Sequence, residues 1–151
     1  MRIKNYLFTI IIYFLGINIV SAIQPDIFVQ STVNRASKVL SEDISKESKI
    51  SELKKIALET VDIQGIGFYT LGSIRKTIND NQKKEYIKLF NSYFLKSFSS
   101  RLVDYSDPKI SIVSEKKINE KYTIVNTVLE ETSKNPEIKI DWRVYTKNPE
   151  R

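Results

Sequence analysis

The chain has neither cysteine nor histidine. Without cysteine, no disulfide staples the fold and no thiolate attacks a substrate or holds a metal. Without histidine, a Ser-His-Asp triad and a Cys/His zinc site are excluded as well. Carboxylates, lysine, arginine, tyrosine and hydroxyls are left for chemistry. Glycine is scarce: there are four, and Gly65, Gly67 and Gly72 crowd one short stretch. Gly65-Ile66-Gly67 is not followed by a third spaced glycine, so the dinucleotide-binding fingerprint is missing. The same crowding points to close backbone packing or a sharp turn. Internal repeats and low-complexity segments are absent too.

Long apolar runs are confined to the N-terminus. Arg2 and Lys4 precede an apolar stretch from Tyr6 to Val20, and Val20-Ser21-Ala22 follows as a small-residue cleavage site. This is the pattern of a secretory signal peptide cut after Ala22. The stretch is short for an anchor helix, which needs about 20 apolar residues. The reading therefore divides the chain into a signal peptide at residues 1–22 and a single domain at residues 23–151, exported from the cytoplasm. With no cysteine behind the signal, a lipoprotein anchor is excluded.

Strong charge of one sign is lacking. The whole chain carries +6; without Arg2 and Lys4, 22 basic residues stand against 18 acidic ones, or +4. The lysines are spread along all segments, as on a solvated surface. That balance gives no reason to expect a nucleic-acid partner.

The apolar pattern predicts helices first and strands afterwards. Ile27 to Ser41 has helical spacing, with Asp26 as its cap. Glu42 to Lys49 is polar and reads as a loop. A second helix starts at Ser48 or Ser51 and carries Ile50, Leu53, Ile56, Ala57 and Thr60 on one face. Val61 to Gly72 reads as a short buried helix. Asn79-Asp80 opens a long helix that ends near Tyr105, ahead of Pro108. Along it Tyr86, Leu89, Phe90, Tyr93, Phe94, Phe98 and Leu102 form a wide apolar stripe. After Pro108 the period becomes two, with strands at Lys109–Val113, Tyr122–Glu131 and Glu137–Thr146. Asn119-Glu120 and Ser133 to Pro136 are compatible with hairpin connections. The middle strand is apolar on both faces, Ile124 and Val128 on one and Val125 and Leu129 on the other. The fold class is α+β: N-terminal helices packed on an antiparallel β-meander.

Single polar residues offer little chemistry. Asp62 reads as a helix cap, and Asp104 and Asp107 as turn residues before Pro108. Arg75-Lys76 suits either a phosphate or a solvated helix end. The stripe is either plain core or, facing a sheet that carries Trp142, one wall of an apolar cavity. The residues alone leave open a lipid carrier, a structural or adaptor protein with a solid core, and an enzyme working through Asp or Tyr.

Val61-Asp62, Leu71-Gly72, Arg75, Thr77, Gln82, Tyr86 and Phe90, in this order, resemble the MlaC family, also called the toluene-tolerance auxiliary component of an ABC transporter. The order of elements fits as well: export signal, helices, this motif, a long helix, then an antiparallel sheet. The likeness runs from about Asp26 to Thr146. Family members continue with a further strand and a helical ending, and this chain stops at Arg151. The resemblance therefore implies a C-terminally truncated member, shortened naturally or by gene decay. It further implies a cone-like fold with a lipid cavity between helices and sheet, and a periplasmic, non-enzymatic carrier of phospholipid. That carrier works between an outer-membrane lipid complex and an inner-membrane ABC transporter complex, without a metal or cofactor. Together with the apolar faces, the resemblance makes Phe90, Phe94, Phe98, Ile112, Ile124, Val128, Trp142 and Val144 the expected lipid-binding residues. Exposing an acyl chain to water costs about 0.8 kcal/mol per CH₂, so a sixteen-carbon tail costs on the order of 13 kcal/mol. Only apolar linings offset a term of that size.

Overall fold

A computed structural model describes residues 23–133 and 136–147 of the chain. The expected signal peptide, part of the Ser133 to Pro136 connection and the last four residues lie outside the described residues. Helix α1 spans Pro25–Ser41. Pro25 takes the first helical position, where its missing N–H costs nothing and its fixed φ suits the helix. Asp26, expected as the cap, sits one step inside instead; Gln24 occupies the cap position without a side-chain bond. In the first turn the negative charge of Asp26 still meets the positive end of the helix dipole.

Helix α2 covers Lys46–Thr60 and is capped by Ser45, whose hydroxyl accepts the Ser48 N–H at 3.1 Å. It starts earlier than the apolar spacing suggested, because its first turn is polar throughout and carries no periodic signal. Asp62 caps the short helix α3, Ile63–Thr70, by accepting the Gly65 N–H at 2.8 Å. Gly72 then adopts φ +56°, a left-handed turn that a side chain would strain. A 3-10 helix, Gly72–Lys76, follows. Helix α4, Asp80–Leu102, opens with a reciprocal capping box between Asn79 and Gln82, both bonds at 3.0 Å.

The turn after α4 explains its acidic residues. Asp107 has φ 55° and accepts the Ser41 hydroxyl at 3.2 Å, while Asp104 pairs with Lys46 at 2.9 Å. Tyr105 is buried between them and donates to the Pro136 carbonyl at 3.3 Å. Three antiparallel strands follow in sequence order: β1 Ile110–Asn119, β2 Tyr122–Leu129 and β3 Ile138–Tyr145. β1 runs well past the expected Val113, because Ser114 to Lys117 pair fully with β2 although they pack on nothing.

Helix α1 lies on β1 and β2, α2 packs on α1 and α4, and α3 packs on α4. Two small buried clusters result, and α1 belongs to both. Its first half supplies Val29 and Val33, which sit on Val125 of β2. Its second half supplies Ala36 and Leu40, which sit on Leu53 of α2. At about 25 cal/mol per Å² of apolar surface removed from water, each fully buried Leu or Val contributes roughly 1.5–3 kcal/mol. No described helix is long and apolar enough to cross a membrane.

Candidate functional site

Along α4 the side chains of Tyr86, Phe90, Phe94 and Phe98 recur every four residues, so they share one helix face. Their rings stack as a ladder, with successive centroids 5.9, 6.2 and 5.8 Å apart. All four remain partly exposed, and none belongs to either buried cluster. Twelve residues of helix make the ladder about 18 Å long. One bilayer leaflet has a hydrocarbon depth of about 15 Å. The ladder is thus close in length to an extended lipid tail.

Two contacts fix the N-terminal end of this ladder. Gly67 brings α3 against α4 so closely that an added Cβ would lie 2.9 Å from Ile87 Cδ1 and 3.0 Å from Phe90 Cδ1. Thr70 donates its hydroxyl proton to the Gly67 carbonyl at 2.7 Å, so the 2.8 Å contact between the two hydroxyls is one in which Tyr86 donates to Thr70. The wide stripe expected on α4 is narrower in the structure. Leu89 and Tyr93 point to solvent, whereas Ser99, which the apolar pattern passed over, is fully buried. A small residue there lets the helix approach its neighbours, and its hydroxyl is satisfied by the Leu95 carbonyl at 2.7 Å.

The helix side of the sheet is a second apolar surface. Trp142 lies across from Val125, Val144 from Thr123, and Ile112 from Thr127. These three residues border the cluster built on Val29, Val33 and Val125. The Trp142 indole N–H donates to Thr127 Oγ1 at 2.9 Å, which satisfies it without water.

Ile124 and Val128, also expected to bind lipid, are placed apart from the other six. They lie on the opposite side of the sheet, Ile124 between Lys116 and Arg143, and Val128 between Ser111 and Lys139. β2 is apolar on both sides, so its period of two separates the sides without saying which one the helices cover. The outer side is otherwise polar. Ser114 donates to Asn126 Oδ1 at 2.7 Å, Asn126 donates to Asp141 at 2.6 Å, and the Arg143 guanidinium lies 4.5 Å from the Tyr122 ring centre. The remaining six fall on two surfaces: three on the ladder, three on the helix side of the sheet.

Two surface depressions lie elsewhere. One is lined by Ile27, Gln30 and Arg35 on the outward side of α1, the other by Asn81, Lys84 and Leu89 on the outward side of α4. Neither includes a residue of the ladder or the sheet. Among the described residues no group of three acidic side chains is placed to hold a metal ion, and no buried side-chain polar atom lacks a partner. What the site presents is apolar surface, with its few polar atoms already paired.

Helices over one side of an antiparallel meander, with an aromatic ladder left partly open, define a small α+β protein with a partly open apolar surface. A family model described as MlaC protein matches residues 30–151. The chain belongs to the MlaC family. Its fold is similar to that of a phospholipid-binding protein from Ralstonia solanacearum, solved in complex with a phospholipid, with a TM-score of 0.67 at 9% identity. The match covers 84% of this chain and 73% of that one. Among the curated proteins, none matches.

Proposed function

We propose that this protein binds phospholipid in the periplasm and carries it between an outer-membrane lipid complex and an inner-membrane ABC transporter complex, without catalysing a reaction. The observation that carries this reading is the ring ladder of Tyr86, Phe90, Phe94 and Phe98: large apolar side chains left partly open although two buried clusters were available to take them. Each ring keeps part of its surface open, so the row offers a continuous apolar strip to a ligand without being exposed outright. Family membership supports the same reading, as does the fold shared with a phospholipid-binding protein. The N-terminal charge and hydropathy pattern supports export. Ile112, Trp142 and Val144 supply the second apolar surface for a tail, while the headgroup stays in water and asks for few polar contacts.

The test is purification of the mature protein without detergent, then native mass spectrometry and organic extraction. Near-stoichiometric phospholipid is the expected result. A folded, lipid-free protein that takes up no labelled phospholipid would remove the carrier reading and leave an adaptor with a solid core.

A further inference from the structure

The corner where α3 meets the 3-10 helix has a chemistry of its own. From Ile63 to Asn79 the sequence holds no acidic residue, and its charges are those of Arg75 and Lys76. Both are exposed, and both fall in the last turn of the 3-10 helix. In the same stretch of sequence Tyr69 is 74% exposed, Ile74 56% and Ile66 37%. Ile66 and Tyr69 are three residues apart and share the outward side of α3. The inward side, Ile63 and Gly67, is buried. The left-handed turn at Gly72 then swings the chain so that Ile74 and Arg75 follow on a separate short element.

We propose that this corner docks on the surface of an anionic phospholipid bilayer. Three exposed apolar side chains and two exposed cations within one acid-free stretch, bounded by Asp62 at the cap of α3 and by Asp80, complement a negatively charged interface. Tyr is favoured at headgroup depth, the two isoleucines enter the acyl boundary, and Arg75 and Lys76 reach back to lipid phosphates. The nearest downstream acid, Asp80, is paired with Lys83 at 3.2 Å and does not cancel that charge. The corner is also tied to the ladder, since Thr70 of α3 meets the Tyr86 hydroxyl at its first ring. The inference rests on the carrier reading for its purpose, though not for its measurement.

The test is co-sedimentation of the full mature chain with two kinds of vesicle, pure phosphatidylcholine and equimolar phosphatidylcholine with phosphatidylglycerol, at low and high salt. Binding to the anionic vesicles alone, weakened by salt, is expected. The double variant Arg75→Gln/Lys76→Gln should lower the partition coefficient roughly 25-fold. Tyr69→Ser/Ile74→Ser should lower binding to the anionic vesicles as well, at low and high salt alike. Bound lipid, read by native mass spectrometry, should be unchanged in the charge variant. Failure of the wild-type chain to sediment with anionic vesicles, or wild-type binding by both variants, overturns the docking. A lipid-free wild-type protein that still sediments overturns the carrier reading and leaves the docking standing.

Discussion

Replacing Phe94 by alanine separates a binding surface from a core. Phe94 is the middle phenylalanine of the ladder, stacked on Phe90 at 6.2 Å and on Phe98 at 5.8 Å. A fully buried phenylalanine cut to alanine costs about 3–5 kcal/mol, part of it for the cavity left behind. Phe94 is only partly buried, and the space it vacates opens to solvent, so the loss of folding stability should be smaller, about 2 kcal/mol. The effect on lipid runs the other way. A bound tail would cover about 50 Å² of ring and lose a similar area of its own from water, which at ~25 cal/mol per Å² amounts to about 2.5 kcal/mol, or roughly 60-fold in Kd. Urea denaturation of the delipidated protein gives the first number. Titration with a fluorescent phospholipid gives the second. Leu53→Ala provides the contrast, since Leu53 is fully buried and belongs to the cluster shared by α1 and α2; it should cost about 2–5 kcal/mol of stability and leave the affinity of the folded fraction unchanged. A stability loss for Phe94→Ala above about 3 kcal/mol, with unaltered lipid affinity, would show that the ring is core and would refute the reasoning.

Further outcomes follow from other contacts. Asn79→Ala removes one half of the capping box that starts α4 and should lower stability by about 1 kcal/mol in the same urea assay. Gly72→Ala meets no neighbouring atom within 4 Å but must hold φ +56°, so it should cost about 1–2 kcal/mol through backbone strain alone. Gly67→Ala pushes a methyl group onto Ile87 and Phe90; it should shift the near-ultraviolet aromatic signal of the ladder and weaken lipid binding more than it lowers the melting temperature. Trp142→Phe keeps the apolar bulk but removes the indole donor to Thr127, and calorimetry should find a loss of about 1 kcal/mol.

The helices and the meander were legible because their periods differ. Ile27 to Ser41 and the stretch after Asn79 repeat at 3.6, the segment from Glu137 at 2, and the structure follows both. Boundaries failed where no apolar residue marks them. Ser45 caps α2 through hydrogen bonding alone, and the outer half of β1 pairs with β2 without burying anything. Faces were harder still. Leu89 and Tyr93 are as apolar in sequence as Phe90 and Phe94, yet a shift of one position around the helix leaves them in water. What decides the side is the approach of α3 at Gly67 and of the neighbouring helices at Ser99, and small residues of that kind give no hydrophobic signal. Ile124 and Val128 posed the same problem on the sheet, where the covered side depends on where α1 comes to rest.

That helix has a mechanical role. Val29 and Val33 fasten its first half to the sheet, and Ala36 and Leu40 fasten its second half to α2. It acts as a shared axle between two bodies, each with its own grip on it. Because one helix closes both clusters, a substitution that displaces it would loosen the sheet side and the helical side together.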